Sequence, residues 1–171
     1  AVNNGGNLHV SSGAVAESAI VNAGGNLIVS NGGVDNNAVV NEGGKLMIYG
    51  GGIANSTTVT SNGNIQVYEG AVLNNATVHF SGSLSLHSGG TVNSTTIESA
   101  VILAVSNGAT ANFTEINSSG LLHAYSGGNV SSSIVNYFGS MVVFSGAAAD
   151  NTTVSSGGFM SVSSGGTANN T

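Results

Sequence analysis

The chain of 171 residues has no cysteine and no proline. Without cysteine, neither a disulfide framework nor a thiolate metal site can form. Proline removes a backbone donor and is confined to the edges and bulges of sheets, so its absence fits a chain whose strands are paired on both sides. The two absences together favour a hydrogen-bonded β structure without covalent cross-links.

Charge is also scarce, since charged residues make up 5% of the chain and one base, Lys45, faces seven acids for a net charge of −6. Nucleic acid is not expected as a partner, because binding phosphates requires clustered Lys and Arg. The longest apolar run, residues 101–105, is far shorter than the roughly 18 residues of a membrane span. Low charge with abundant Gly and Ser would suit a disordered linker, but 40% hydrophobic residues in strict register argue against one.

What the chain does contain is a tandem repeat of nineteen residues, nine times over. No residue is left over for a signal peptide, a cap or a membrane anchor, so we expect residues 1–171 to be a single solenoid cut from a longer protein. The repeat is marked by a glycine that recurs without a gap. These glycines are Gly13, Gly32, Gly51, Gly70, Gly89, Gly108, Gly127, Gly146 and Gly165.

Positions within the repeat, called columns and counted from Val2, predict short strands. Columns seven and nine are apolar around a variable column eight, as in Leu27 and Val29, and this period of two indicates a strand with one buried face. Column one is always β-branched and column eighteen is Ala, Thr or Ser, which predicts a second short strand. In column fifteen, mostly Ala or Val, Asp35 is unexplained.

Turn residues separate these strands. Columns four and five are often Gly-Gly, and the glycine of column twelve is expected to supply a positive φ. Column sixteen is usually Asn, as in Asn55 and Asn74, which predicts a ladder of side-chain amides that closes a third corner.

Each repeat is therefore expected to be one coil of two or three short strands, each pairing in parallel with its copy nineteen residues later. The predicted fold class is all-β, a right-handed parallel β-helix (β-solenoid) of nine coils. A coil spacing of about 4.8 Å makes the rod roughly 43 Å long.

Repeat six, residues 97–115, departs most from the pattern. Ala100, Val101 and Ile102 replace the glycines and the polar residue of a turn, and Phe113 and Glu115 replace smaller polar residues. This predicts either a repaired turn packed on its neighbours or a bulge with an exposed apolar contact surface.

Catalytic and metal sites have little support. His9 and His123 share a column but lie six coils apart, about 29 Å at the strand spacing, which is too far to share a metal. Glu98 and Glu115 would be diagonal neighbours about 7–8 Å apart, a spacing that overlaps that of glycosidases. No Arg, Trp or cleft-forming loop accompanies them, so we expect no enzyme, no metal and no cofactor.

Two other solenoid functions, calcium binding and ice binding, have little support in the sequence. Calcium binding needs several oxygen ligands, usually charged ones, and Asp35 and Asp150 are isolated. Ice binding would use regular Thr-x-Thr arrays, and the relevant columns hold one, Thr58 to Thr60. Ice binding stays open as a less favoured alternative.

The repeat unit resembles a known family. Val-Asn-x-Gly-Gly-x-Leu at 2–8, 21–27 and 40–46, followed by Val-Ser-x-Gly-Gly and Asn-x-Thr-x-Val, is similar to the passenger repeats of AIDA-type self-associating autotransporter adhesins, along the whole chain. The resemblance implies a Gram-negative surface protein with a right-handed β-helical passenger, exported through a C-terminal barrel outside this sequence. It also implies adhesion to host cells, autoaggregation and biofilm formation.

The resemblance further implies that a heptosyltransferase attaches heptose to serines in short strand–loop–strand acceptors. The first serine group lies on the turn at the repeated glycine and comprises Ser11, Ser12, Ser30, Ser88, Ser106, Ser126, Ser145, Ser163 and Ser164. The second serine group lies on the other turn and comprises Ser61, Ser81, Ser99, Ser118, Ser119, Ser155 and Ser156. Repeats three and four depart from the acceptor pattern, with Tyr49-Gly50 and Tyr68-Glu69 in place of the serine.

A structural stalk without its own binding activity is the alternative. Repeats with little individuality favour such a stalk, which would hold another domain away from the cell surface.

Overall fold

The computed structural model describes all residues 1–171, which form strands and turns and no helix. The chain winds into nine coils of about nineteen residues, and their strands form two nine-stranded sheets and one eight-stranded sheet. Every strand pairs in parallel with its copy in the next coil, so that Leu27 lies between Leu8 and Leu46. The predicted β-solenoid is confirmed, and its right-handed winding stays a prediction.

Each coil contributes one strand to each of three sheets. Sheet one, columns six to nine, consists of Asn7–Val10, Asn26–Val29, Lys45–Ile48, Asn64–Val67, Ser83–Leu86, Ile102–Val105, Leu121–Ala124, Ser140–Val143 and Phe159–Val162. Sheet two, columns fourteen to sixteen, consists of Val15–Glu17, Val34–Asn36, Ile53–Asn55, Val72–Asn74, Thr91–Asn93, Thr110–Asn112, Asn129–Ser131, Ala148–Asp150 and Thr167–Asn169. Sheet three, columns nineteen and one, consists of Ile20–Val21, Val39–Val40, Thr58–Val59, Thr77–Val78, Thr96–Ile97, Glu115–Ile116, Ile134–Val135 and Thr153–Val154.

The core is a column of aliphatic side chains along the axis of the rod. Strand Asn26–Val29 alternates half-buried and buried residues, which confirms the period of two. The apolar core cluster of 36 residues contains none of the five Phe and four Tyr. All the aromatic side chains of this chain therefore lie on the outside of the solenoid.

Three corners join the strands of each coil, and at each corner one column adopts a positive φ in every coil; Ser12 and Asn107 add a second such residue at the second corner. The first corner uses column four, and the second uses the glycine of column twelve, whose φ lies between 70° and 83° in all nine coils. The positive φ predicted for this glycine is confirmed. The third corner uses column seventeen, where Ser, Asn and Phe113 adopt φ of 51° to 59°. The third corner therefore lies one residue after the Asn column, which belongs to sheet two.

In repeat six the first corner is repaired without a bulge. Ala100 adopts the left-handed conformation with φ 61°, and Val101 turns its side chain into the core. Ile102 and Phe113 are exposed. The pairing of this coil with the preceding one in sheet one begins one residue late, at Leu84 and Leu103. The packed turn, one of the two alternatives, is present, and the contact surface stays a prediction.

Candidate functional site

The first serine group lies at the second corner, in two adjacent columns. The serines of column eleven are exposed, whereas Ser30, Ser106 and Ser163 in column ten are half-buried. The hydroxyls of Ser126 and Ser145 lie over the repeated glycine of the following coil, where an added Cβ would come within 2.7 Å and 2.6 Å of them. The glycine therefore serves both the turn and the packing of the neighbouring serine. The exposed members of column eleven are Ser12, Ser88, Ser126, Ser145 and Ser164.

The second serine group lies at the first corner, and several of its hydroxyls are engaged. Ser99 Oγ donates to the carbonyl of Ser118 at 3.1 Å, and Ser155 Oγ donates to Asn136 Oδ1 at 3.3 Å. Ser81 and Ser119 occupy the left-handed position, with φ of 58° and 61°. The exposed members of the second group are Ser61, Ser81, Ser118, Ser119 and Ser156.

A third set of turn serines was missed from the sequence. Ser18, Ser56, Ser94 and Ser132 occupy the left-handed position of the third corner in alternate coils, with φ of 51° to 54°. They stand between a strand of sheet two and a strand of sheet three, which is the same strand–turn–strand context as the two predicted groups. The recurrence of Ser in every second coil from one to seven was the available signal.

The predicted amide ladder runs along column sixteen. Five consecutive hydrogen bonds of 2.7–2.9 Å connect Glu17 to Asn112, each Asn Nδ2 donating to the oxygen of the preceding coil. Ser131 interrupts the ladder, and Asn169 then donates to Asp150 at 2.7 Å. A carboxylate thus accepts at the beginning of each run, where aligned amide donors favour negative charge.

A second ladder, not predicted, runs along column two. Asn22 donates to Asn3 at 2.8 Å and Asn41 donates to Asn22 at 2.9 Å. In the middle of the column, His79 Nδ1 meets Glu98 Oε2 at 2.7 Å. Glu98 therefore pairs with a histidine in its own column. Its diagonal neighbour Glu115 pairs along sheet three with Thr96 and Ile134.

Aromatic side chains take the place of serine in column ten of coils three to five. Tyr49 stacks on Tyr68 with ring centroids 4.6 Å apart, and Tyr68 stacks on His87 at 4.4 Å. The hydroxyl of Tyr68 also donates to Gln66 Oε1 at 2.6 Å. The second corner in coils three to five is therefore a continuous ring stack, and column ten holds stacked rings again at Tyr125 and Phe144, 4.9 Å apart.

Asp35 is the exception in the core. It is 0% exposed, and neither carboxylate oxygen has a hydrogen-bond partner. Burial, and secondarily the charge of Glu17, raise the pKa of Asp35 to about 6; the backbone amide of Ala38 lowers it, although this amide does not reach hydrogen-bond geometry with the carboxylate. Its neighbours in column fifteen are the small Ala16 and Ala54.

Concave space is limited to one cavity of about 650 Å³, lined entirely by residues 1–19. It lies at the open side of the first coil, where Leu8 and Val15 have no preceding coil to pack against. It is therefore the unpaired face of the first coil, and its lining mixes apolar residues with Asn7, His9, Glu17 and Ser18. No helix capable of crossing a membrane occurs in the structure.

The fold and its surface define a rod-like β-solenoid that offers rows of hydroxyl and amide groups. Residues 1–44 match the family model described as adhesin of bacterial autotransporter system, probable stalk. A crystal structure of a TibC-catalyzed hyper-glycosylated fragment of TibA, residues 55–350, is similar in fold, with a TM-score of 0.61 and 24% identity over 96% of this chain and 92% of that chain. Comparison with curated proteins finds no match. The predicted resemblance to an AIDA-type autotransporter passenger is confirmed for residues 1–44. Along the rest of the chain, the similarity to the TibA fragment shows a shared fold.

Proposed function

We propose that this chain is a non-enzymatic passenger segment of a bacterial surface adhesin, outside the cell, and that its turn serines accept O-linked heptose from a partner transferase. Adhesion to host cells and autoaggregation are the activities proposed for the rod. The proposal is supported by the rows of exposed turn serines on a fold similar to that of the hyper-glycosylated TibA fragment.

The exposure and hydrogen bonding of the serine hydroxyls indicate which serines are the best acceptors. Ser126 and Ser145 are exposed and their hydroxyls have no protein partner, whereas Ser88 Oγ donates to the carbonyl of Asn107 at 2.6 Å. In the transfer, the serine oxygen would attack the anomeric carbon of a nucleotide-activated heptose. The bond from that carbon to the nucleotide would break, and the serine proton would pass to a base of the transferase.

Intact-mass measurement on the chain made with and without the transferase tests this proposal. We expect a ladder of added heptose masses, and the loss of one heptose each in Ser126→Ala and Ser145→Ala. Ser85→Ala is the matched control, because Ser85 lies inside a strand of sheet one. A mass unchanged by co-expression would remove glycosylation from the proposed function.

A purely structural stalk is the second candidate, and the description of the matching family as a probable stalk favours it. Replacing residues 1–171 by an unrelated solenoid of equal length separates the two. Undiminished cell adhesion and aggregation would support the stalk, whereas their loss would support direct binding by this segment.

A further inference from the structure

The row of aromatic rings along column ten has one gap. A stack of three rings occupies coils three to five and ends at His87. A second stack, Tyr125 and Phe144, occupies coils seven and eight, with centroids 4.9 Å apart and parallel planes. In coil six, between the two stacks, the same column holds Ser106. The row therefore lacks a single ring.

The two stacks have the same orientation, because their tyrosines lean over column eight of their own strands. The hydroxyl of Tyr68 donates to Gln66, two residues earlier, at 2.6 Å. The hydroxyl of Tyr125 likewise lies 3.3 Å from Nδ1 of His123. The ring of His87 is parallel to that of Tyr68 within 3°. The outer faces of His87 and Tyr125 are therefore directed towards each other across coil six.

We call the space between these two faces the ring gap. Its walls are His87 and Tyr125, and its floor is Ala104 and Ser106, both half-buried. Two coil spacings separate the walls by about 9.6 Å, so a group at the midpoint lies about 4.8 Å from each ring. Rings within the stacks lie 4.4–4.9 Å apart, so the gap is wide enough for one planar group. The ring of His123 stands edge-on to both rings of the second stack and therefore lies beside that stack.

The charge around the ring gap favours a cation. The chain has a net charge of −6, and its single basic side chain, Lys45, lies three coils away. The side chain of Glu69 extends over coil five, where an added Cβ on Gly89 would lie 2.9 Å from Glu69 Cγ. The faces of aromatic rings are themselves negative and attract cations within about 6 Å of the ring centroid. Positive charge is therefore favoured between the walls, and negative charge is disfavoured.

The side chain that is both planar and cationic is arginine. Its guanidinium group stacks on aromatic faces, whereas the ammonium group of lysine is a compact, strongly hydrated charge without a flat surface. Residues 1–171 contain no Arg, so a second copy of them cannot supply the group. The matching occupant therefore belongs to a different protein.

We propose that the ring gap binds an arginine side chain of a basic partner protein. The guanidinium group lies between His87 and Tyr125, and the hydroxyl of Ser106 accepts one of its N–H groups. Arginine is one of the residues that contribute most to binding at protein interfaces. The inference rests on the proposed adhesion, to which it adds the chemistry of the partner.

Column ten itself supplies conservative variants. Ser106→Tyr fills the gap with the residue that this column holds in coils three, four and seven, and Tyr125→Ser replaces one wall by the residue of coils two and nine. Both variants should therefore preserve the coil. The matched control is Tyr49→Ser, because Tyr49 is 39% exposed and Tyr125 is 40% exposed, but Tyr49 lies two coils before the nearer wall.

Fluorescence anisotropy of labelled peptides is the test, with purified chain made without the transferase so that Ser106 carries no sugar. An oligoarginine peptide is compared with oligolysine and oligocitrulline peptides of equal length. Lysine keeps the charge without the plane, and citrulline keeps the plane without the charge. We expect the natural chain to bind the arginine peptide at least about five-fold more tightly than either of the others.

Ser106→Tyr and Tyr125→Ser should both abolish this preference, whereas Tyr49→Ser should change the dissociation constant of the arginine peptide less than about two-fold. Circular dichroism and thermal melting verify that each variant is folded. Arginine bound no more tightly than lysine or citrulline overturns the inference, as does a preference that persists in Ser106→Tyr. Cell adhesion is measured separately, so a preference for arginine without adhesion would reject the proposed adhesion and leave this site standing.

Discussion

Asp35 is a carboxylate in a column of otherwise apolar residues. Column fifteen faces the core, and the carboxyl group of Asp35 has no hydrogen-bond partner there. Transfer of an ionised carboxylate into such a site is unfavourable, which is why its pKa rises to about 6. The folded pKa lies above the ordinary value of 3.8, so folding favours the protonated form. The favourable contribution of Asp35 to the free energy of unfolding is therefore fully present below pH 3.8, and it is lost as the pH rises through about 6.

Replacing Asp35 by Ala should remove this pH dependence, since Ala16 and Ala54 already occupy the same column in the adjacent coils. Relative to the natural chain, we expect the variant to gain about 2–3 kcal/mol in free energy of unfolding between pH 4 and pH 7.5. Urea denaturation at the two pH values measures the difference. Asp150→Ala, at an exterior strand position, is the control; an equal gain there would contradict the assignment to burial.

Within the strands, the column-sixteen ladder connects coils one to six through side-chain hydrogen bonds. Asn74 occupies its centre, donating to Asn55 and accepting from Asn93, both at 2.9 Å. Asn74→Ala should lower the free energy of unfolding by about 1–2 kcal/mol, because two partly buried hydrogen bonds are lost and their partners are left unpaired. Asn31→Ala is the comparison, since Asn31 is exposed and makes no side-chain hydrogen bond. Equal losses in both variants would argue that the ladder adds nothing.

At the second corner, the repeated glycine is required mainly by the backbone. Gly108 has φ 77°, and an added Cβ would approach no atom closer than the Gly89 nitrogen at 3.8 Å. Gly108→Ala should therefore cost about 1–2 kcal/mol through conformation alone. Gly108→Asn should cost less, because Asn tolerates the left-handed region and already adopts it at Asn37 and Asn62. Urea midpoints of the two variants test the order, and a larger cost for Asn would refute the backbone explanation.

At the scale of the molecule, each coil of the rod is hydrogen-bonded mainly to the coils on either side of it. The stability of the rod is therefore approximately the sum of the contributions of its coils and of the contacts between neighbouring coils. Removing residues 59–77, one whole period, joins Thr58 to Val78 and keeps every column continuous. We expect this deletion to preserve the β circular dichroism signal per residue and a cooperative melt. Removing residues 59–76 instead shifts the register by one and directs core side chains outward. That variant should melt at a markedly lower temperature, and equal melting of both would show that register does not govern the fold.

The nineteen-residue period by itself determined the coil, the parallel pairing of each strand with its copy, and the inward columns seven, nine and one. It could do so because identical repeats stack in only one register that keeps all apolar columns inside. The column-twelve turn and the column-sixteen ladder were also predictable, since Gly and Asn have specific backbone and side-chain roles there.

Only the tertiary structure decided which groups face each other outside these regular columns. Column two mixes Asn, Thr, His and Glu, so the ladder there and the pairing of His79 with Glu98 depend on where the first corner directs those side chains. The left-handed residue of the third corner lies at column seventeen because column sixteen is still paired in sheet two. The aliphatic core likewise leaves every aromatic ring outside the apolar core cluster.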